Sequence, residues 1–301
     1  MSLVQNIVDE LFDPSITHCE ELTHGFSGAK KYVLYAGNVP KYVLKVYGMG
    51  RAERRKEEFE LLQRHVDNQV TCPKPVKFGS NEEHQVCYMI LAYLDGTGGD
   101  KAIPGRSAEE QYLLGVLAGK ELRKIHLVSP SVPFDWYGKR KEKYRRKREE
   151  CRKAGLTFYR QELIEPYIED HFHMLKESSV SFQHDDFHPQ NMIVNNDGAV
   201  SIIDFDSFDW GDPWEEFFKL PKYTIQVSIS FARGQINGYF NGIIPETFWP
   251  KYNLFVALNQ HASQLGGLAY GNLAYVQERT RYIIDTHDFR HNGAPAWFVN
   301  E

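Results

Sequence analysis

The first part of the chain alternates short apolar runs with turn residues, a pattern that is typical of β-strands. Residues 32–35 and 42–47 are rich in β-branched and aromatic side chains, and the segment AGNVP joins them. Its residues Gly37, Asn38 and Pro40 favour turns because each suits a backbone conformation that strands lack. The pattern predicts a twisted antiparallel hairpin.

A helix and a buried strand follow the hairpin. Residues 51–65 are highly charged, and Phe59, Leu61 and Leu62 supply the apolar stripe of a helix. The run QVCYMILAYL, residues 85–94, is continuous and short enough to be a strand that is buried on both faces.

The pattern changes to helical periodicity after Gly96. Residues 111–128 form a long amphipathic segment, and helices dominate again after Pro213. We therefore expect an α+β, two-lobed chain with a β-rich lobe over residues 1–91, a connector over 92–97 and a larger, mostly helical lobe over 98–301.

Composition limits the class of protein. The chain has 301 residues, of which 42% are hydrophobic and 25% charged, so it can bury a sizeable core. No apolar stretch approaches the roughly 18 residues of a membrane span, and the N-terminus is acidic, so we expect a cytoplasmic protein. The four cysteines are widely spaced without a CxxC pair, which predicts reduced thiols and neither a zinc site nor a disulfide framework.

The net charge of −5 conceals one strongly basic segment. Residues 139–153 contain ten basic and three acidic side chains, a local charge of +7, so the rest of the chain carries −12. Such a run can bind nucleic acid. Its acids are spaced as on a solvated helix, which is the interpretation that we favour.

The most polar stretch, HDDFHPQN, lies at residues 184–191, and the two apolar runs that follow it surround Asn-Asn-Asp-Gly, a hairpin signal. If the hairpin loop has two residues, Asn191 and Asp204 face each other across the strands; if it has four, they lie diagonally. Asp186 lies just upstream. The three side chains would then present oxygen atoms to one place.

Oxygen donors of this kind suit phosphoryl transfer. Carboxylate and amide oxygens bind Mg²⁺, which usually takes few protein ligands, and a further carboxylate can orient or deprotonate a hydroxyl group. A coincidental grouping and a zinc site are the alternatives. Zinc prefers thiolate and imidazole, which the acids here outnumber.

The motif HxDxHPxN, followed by IIDFD and GDP, resembles the aminoglycoside phosphotransferase family, small-molecule kinases with the protein-kinase-like fold. The resemblance implies that Asp186 is the catalytic base and that Asn191 and Asp204 bind Mg²⁺. It also implies that His184 and His188 support the loop.

One position departs from the family pattern. Asp185 stands where the family usually has glycine. Asp adopts a left-handed backbone more readily than most residues do, so the departure is compatible with the fold. Asp212, in GDP, is better placed as a helix cap before Pro213 than as a ligand.

The resemblance extends to the first lobe and implies a site for ATP or GTP. A loop with Gly25, Ser27 and Gly28 lies between two predicted strands, where its N–H groups could approach phosphates. Lys45 occupies the strand position of the kinase lysine, and Glu58 is the helix glutamate expected to hold it. An ordinary edge-strand lysine is the alternative.

The connector would bind the purine. In the family's fold, the backbone around Ala92 and Leu94 hydrogen-bonds the base. The sequence is compatible with either ATP or GTP.

A small molecule is the expected acceptor, because only residues 205–210 separate Asp204 from GDP, too few for the activation segment that positions a protein substrate. Acidic and aromatic residues after Asp206 could attract a cationic or sugar-like substrate. The candidates are Asp209, Trp210, Glu215 and Glu216, with Tyr270, Tyr275 and Trp297 as further aromatics.

The sequence thus predicts a Mg²⁺-dependent kinase of a small-molecule hydroxyl, without membrane, protein or nucleic-acid substrates. An aminoglycoside-like antibiotic, a macrolide, a choline-like amino alcohol, a sugar or another metabolic alcohol all stay open as acceptors. A nucleic-acid-associated protein that acts through residues 139–153 is the alternative from another class.

Overall fold

The computed structural model describes residues 3–11, 13–22 and 29–299, which form two compact units. The first unit is Met1–Thr97 with Ile193–Asp206, and the second is Gly98–Met192 with Ser207–Glu301. The hairpin segment after Asn191 therefore belongs to the first unit, although most of the neighbouring sequence belongs to the second.

The strands, in chain order, are β1 (His18–Leu22), β2 (Lys30–Ala36), β3 (Val39–Gly48), β4 (Pro75–Asn81), β5 (Val86–Ala92), β6 (Thr97–Gly98), β7 (Ser181–Gln183), β8 (Met192–Val194), β9 (Val200–Ile202) and β10 (Asp209–Gly211). The α-helices are α1 (Leu3–Glu10), α2 (Ala52–Asp67), α3 (Gly99–Ala102), α4 (Ala108–Ile125), α5 (Trp136–Lys153), α6 (Gln161–His171), α7 (Ile225–Val227), α8 (Ile229–Tyr239), α9 (Phe248–Leu258), α10 (Gln260–Ala269), α11 (Leu273–Thr286) and α12 (Ala296–Val299). Shorter 3₁₀ turns and one π-helical turn, Leu220–Thr224, connect them.

An antiparallel sheet with the order β1-β2-β3-β5-β4 forms most of the first unit. The predicted hairpin is confirmed as β2 and β3, which turn at Gly37 and Asn38. Gly37 has a φ of 60°, a left-handed conformation that glycine adopts at little cost. Pro40 lies within β3, opposite Tyr35, rather than in the turn.

One face of this sheet buries an apolar core, to which β2, β3 and β5 contribute Leu34, Leu44, Tyr88 and Ile90. Ile7 of α1 is fully buried in the same cluster. Helix α1 was not predicted from the sequence, because its eight residues are too few for a strong helical pattern.

The predicted helix is confirmed as α2, but its buried face differs from the predicted stripe. Leu61 and Leu62 are buried as expected, whereas Phe59 is only half-buried. The remaining buried positions are polar or charged, namely Arg55, Glu58 and His65. Burial of charges on a helix marks a position where they have partners.

The hairpin of β8 and β9 has a three-residue loop, so both predicted loop lengths are wrong. The N–H of Asn195 donates to Ala199 O at 3.1 Å, and the N–H of Gly198 donates to Asn195 O at 3.1 Å. Gly198 has a φ of 79° and supplies the left-handed residue that such a loop needs.

The cysteines agree with the prediction of reduced thiols. All four are free, with Cys19 exposed and the other three buried.

A separate property of the described helices is that none combines the length and apolar character that crossing a membrane requires.

In the second unit, α4 and α8 approach so closely that their backbones touch. Gly115 and Gly119 of α4 face Gly234 and Gly238 of α8, and a Cβ built on any of the four would lie 2.1 Å from a backbone oxygen of the opposite helix. Only glycine fits this contact, which brings the two helices together along their length.

We predict that Gly119→Ala lowers the free energy of unfolding by about 1–3 kcal/mol, because the added methyl group forces the two helices apart. Urea denaturation followed by circular dichroism measures the change. Gly266→Ala in α10 is the matched control, since its Cβ would meet nothing within 4 Å. Equal stabilities for the two variants would contradict the proposed contact.

Candidate active site

The motif HDDFHPQN begins at the end of β7. This strand pairs with β10, and Phe182 lies opposite Trp210. The N–H of Phe182 also donates to Val128 O at 2.7 Å, so the strand is fixed from a second direction. Asp185 has a φ of 57°, the left-handed conformation predicted for it, and this turn exposes the side chain of Asp186.

A buried carboxylate holds the start of the loop. Glu216, which is 1% exposed, accepts hydrogen bonds from the N–H of His184 at 2.9 Å and from the N–H of Asp185 at 3.0 Å. Burial and the neighbouring Asp185 carboxylate raise the pKa of Glu216 to about 8, against the opposing effects of Lys219 and the two N–H groups.

Three side chains of the second unit surround the carboxylate of Asp186. His188 Nε2 lies 3.0 Å from Oδ1, Lys219 Nζ lies 3.4 Å from Oδ1, and Asn191 Nδ2 donates to Oδ2 at 2.8 Å. Burial alone would raise the pKa of Asp186, but His188, Lys219 and Asn191 together hold it well below its usual range. Asp186 is therefore ionised at neutral pH.

The amide of Asn191 is oriented by the same loop. Its nitrogen donates to both the backbone oxygen and the carboxylate of Asp186, at 2.9 and 2.8 Å. The amide oxygen is then the atom that can bind a cation, which fits a magnesium ligand. Among the described residues, no group of three or more His, Cys, Asp or Glu side chains is arranged to hold a metal.

Lys219 was not predicted from the sequence, although this buried lysine contacts two residues of the motif. Its ammonium group donates to the backbone oxygen of Asp185 and lies 3.8 Å from the Asp185 carboxylate as well as near Asp186. Its spacing of three residues from Glu216 places both on one side of a helical turn. This spacing is the only signal in the sequence that could have indicated that Lys219 belongs to the site.

In the first unit, Lys45 and Asp204 form an ion pair. Lys45 Nζ lies 3.2 Å from Asp204 Oδ1. Burial would lower the pKa of Lys45, but Tyr47, Asp204 and Glu58 raise it above its usual value, so the lysine is charged. Asp204 also has a left-handed backbone, with a φ of 67°.

Glu58 differs from its predicted role. Its carboxylate pairs with Arg55, 2.5 Å away, instead of with Lys45. Arg55 lies one turn earlier on α2, so its guanidinium reaches Glu58 along the same helix face. The guanidinium also lies 3.8 Å from Asp206. Glu58 still lowers the energy of the charged Lys45 through its field.

A cavity of about 280 Å³ in the first unit contains Lys45, Glu58 and Asp204. Ala92 and Leu94 line it, as expected of a connector that meets a ligand. The N–H of Ala92 already donates to Lys74 O at 2.8 Å. The apolar wall consists of Leu22, Val43, Leu62, Pro73, Leu91, Ile193, Ile203 and Phe205.

The predicted phosphate loop is not described. Gly25, Ser27 and Gly28 lie outside the described residues, and their assignment stays a prediction.

The predicted acidic substrate residues contact basic side chains or backbone groups of the protein. Asp209 lies 3.3 Å from Lys139, and Glu215 lies 2.9 Å from Arg140. Glu216 holds the loop, as described above. Trp210 is half-buried and packs edge-on against Phe182. Asp212 is confirmed as a cap, because its side chain accepts from the N–H of Trp214 at 2.8 Å.

The basic segment 139–153 forms most of α5. Several of its cations pair with acids: Arg148 lies 2.7 Å from Glu165, and Lys147 lies 2.8 Å from Glu150. Arg140 is buried against Glu215. These pairs are typical of a helix whose charges serve the protein's own packing.

Comparison with known proteins supports the family assignment. No curated protein matches the chain. Among solved structures, the GDP complex of aminoglycoside 2'-phosphotransferase-IIIa is 17% identical, with a TM-score of 0.67 over 94% of this chain and 96% of that one. The streptomycin-ATP-APH(2")-IIa ternary complex is 18% identical, with a TM-score of 0.63 over 88% and 90%.

A third similar structure is a thermostable mutant of aminoglycoside phosphotransferase APH(4)-Ia in a ternary complex with AMP-PNP and hygromycin B. It is 16% identical, with a TM-score of 0.65 over 94% of this chain and 98% of that one. These likenesses confirm the α+β, protein-kinase-like fold, with a β-sheet region and a mostly helical region.

The family model described as "Phosphotransferase enzyme family" matches residues 18–253, most of the chain. This match includes both HDDFHPQN and IIDFD. The chain therefore belongs to the phosphotransferase enzyme family, as a small-molecule kinase.

Proposed function

We propose that this enzyme transfers the γ-phosphoryl group of ATP or GTP to a hydroxyl group of a small molecule, with Asp186 as the base that aligns and deprotonates the hydroxyl. The observation that carries the proposal is the surroundings of Asp186. An ionised, partly exposed carboxylate is held by His188 and Asn191 on a loop that Glu216 fixes. A positioned carboxylate of this kind can take a proton within hydrogen-bond reach.

The cavity of the first unit supports nucleotide binding. Its apolar wall suits a purine, and Lys45 supplies a permanent positive charge for the phosphates. Structures of the similar enzymes named above contain GDP, ATP or AMP-PNP. We propose that the backbone near Leu94 binds the base and that the loop with Gly25, Ser27 and Gly28 covers the phosphates.

Asp204 and Asn191 are the proposed magnesium ligands. Each presents an oxygen atom of the type that Mg²⁺ prefers, and each is oriented by neighbours within its own unit. When bound, Mg²⁺ would neutralise charge that develops on the phosphates. Glu58 and Arg55 would keep the cavity side of α2 in place.

The proposal is tested by nucleotide turnover with purified protein and Mg²⁺. ATP and GTP are tested in parallel with aminoglycosides, macrolides, amino alcohols and sugars. Mass spectrometry identifies any phosphorylated acceptor. Stimulation by a hydroxyl compound, with phosphate transferred to it, supports the proposal. A protein that binds neither nucleotide would overturn it.

We predict that Asp186→Ala lowers turnover by about a hundredfold or more, because the hydroxyl loses its base and its orientation, while nucleotide affinity stays near that of the wild type. Steady-state kinetics and calorimetric titration with nucleotide measure the two quantities. Asp197→Ala, at the exposed hairpin loop, is the control. Unchanged turnover in Asp186→Ala would remove Asp186 from the mechanism.

Lys45→Met should weaken nucleotide binding by about tenfold or more, because a charge-assisted contact to the phosphates is lost from a buried position. Calorimetry gives the affinity. Lys56→Met on the exposed face of α2 is the matched control, since its side chain is 65% exposed. Equal nucleotide affinity in both variants would show that Lys45 is a structural lysine only.

Lys219→Met should move the acidic limb of the kcat/KM profile to higher pH. Burial raises the pKa of Asp186, and the positive charge of Lys219 is one of the groups that lower it again. Without that charge the pKa rises, so the ionised base is lost at a higher pH as the solution is acidified. Lys219→Arg keeps the positive charge and should leave the acidic limb of the profile where it is in the wild type. If Lys219→Met also leaves it there, Lys219 does not lower the pKa of Asp186.

A further inference from the structure

A second cavity lies within the second unit and is connected to the predicted base through two side chains. Its volume is about 150 Å³, comparable to a cavity that holds one six-membered ring. Tyr223 lines it, and the ring of Tyr223 lies 5.0 Å from the ring of His188, which in turn contacts Asp186 at 3.0 Å. One side chain thus separates the cavity from the residue that contacts the base.

The backbone around this cavity is unusual. Leu220–Thr224 form a π-helical turn, a rare conformation that is frequent at functional sites. The turn directly follows Lys219, which contacts Asp186, and it supplies Lys222 and Tyr223 to the cavity. The same segment therefore links the base to the cavity wall.

The lining is basic and aromatic. Lys222 and Arg279 contribute positive charges, Tyr223, Tyr270 and Tyr275 contribute rings, and the lining contains no Asp or Glu. Neither Lys222 nor Arg279 lies within 4.0 Å of a carboxylate in the part of the chain that the structure describes. Arg279 is instead held by its Nη2 atom, which donates to Pro221 O at 2.6 Å.

Four acids in or near the motif already have a cation within 4 Å. Asp185 and Asp186 share Lys219, Asp209 pairs with Lys139, and Glu215 pairs with Arg140. A polycationic acceptor would have to compete with these cations and would also meet the charges of Lys222 and Arg279. Like charges brought together in a partly buried site disfavour binding.

We infer that the cavity lined by Lys222, Tyr223 and Arg279 binds an acidic group, a carboxylate or phosphate, of a hydroxylated acceptor whose hydroxyl is presented to Asp186. This inference rests on the proposed function and specifies its acceptor. The guanidinium and ammonium groups bind the anion, and the exposed tyrosine rings contact the carbon skeleton of the acceptor. The acceptor is then an acidic alcohol rather than a polyamine.

Saturation-transfer NMR without nucleotide tests the inference with glucose 6-phosphate, glucose and glucosamine, three probes that share one ring and differ in charge. At constant ionic strength, we expect glucose 6-phosphate to bind about tenfold more tightly than glucosamine. Binding of glucosamine that equals or exceeds that of glucose 6-phosphate overturns the inference.

Arg279→Gln should weaken the binding of glucose 6-phosphate by about tenfold and leave that of glucose nearly unchanged. Arg281→Gln, on the same helix but outside the cavity, is the control. Lys222→Gln provides an independent variant if loss of the bond to Pro221 impairs folding. A loss in Lys45→Met as large as that in Arg279→Gln would assign the phosphate to the nucleotide cavity and overturn the inference.

The two proposals fail in different ways. If nucleotide turnover depends on Asp186 but glucosamine binds more tightly than glucose 6-phosphate, the kinase function stands and the acidic acceptor is excluded. If glucose 6-phosphate binding depends on Arg279 but no nucleotide binds, the cavity stands and the proposed phosphoryl transfer is excluded.

Discussion

The backbone of residues 184 and 185 is held by the buried carboxylate of Glu216, and the position of Asp186 depends on this contact. Two N–H groups that point into the protein interior must find acceptors, because an unpaired buried donor costs about 1–3 kcal/mol. Glu216 satisfies both with one side chain. With these bonds in place, the left-handed Asp185 turns the chain so that Asp186 faces its own partners, and the strain of that conformation is offset locally.

Charge pairing then determines what the site can attract. The chain outside residues 139–153 is strongly acidic, which would suggest a field that favours cations. In the second unit, however, Lys219, Lys139 and Arg140 each lie within 4 Å of an acid near the motif. The formal charge of a lobe is therefore a poor guide to its site. Paired acids contribute little field, whereas Lys222 and Arg279 have no acidic partner among the residues that the structure describes.

Local patterns were sufficient to predict several strands and helices and to find the candidate motif. HDDFHPQN is contiguous, so the motif and its resemblance to the family indicated Asp186 and Asn191 as candidates, and apolar runs indicated β2, β3 and β5. Contacts between distant residues were not predictable in the same way. Glu58 forms an ion pair with Arg55 of its own helix rather than with Lys45 of β3. Lys219 contacts Asp186, which lies 33 residues earlier in the chain. The hairpin loop was misjudged because Asn-Asn-Asp-Gly admits two, three or four loop residues, and only the hydrogen bonds of Asn195 select three.

Similarity to the family says less about the acceptor than about any other property of the enzyme. At 16–18% identity, the similar structures share the fold, and a fold hosts many substrates. The proposed phosphoryl-transfer residues Asp186, Asn191 and Asp204 lie next to elements of the shared fold, after β7 and at the two ends of the β8–β9 hairpin. The second cavity, by contrast, is lined by side chains of the π-helical turn, α10 and α11, which lie outside β7 and the β8–β9 hairpin. Its basic and aromatic lining supports an acidic alcohol as the acceptor, a choice that likeness of fold alone does not decide.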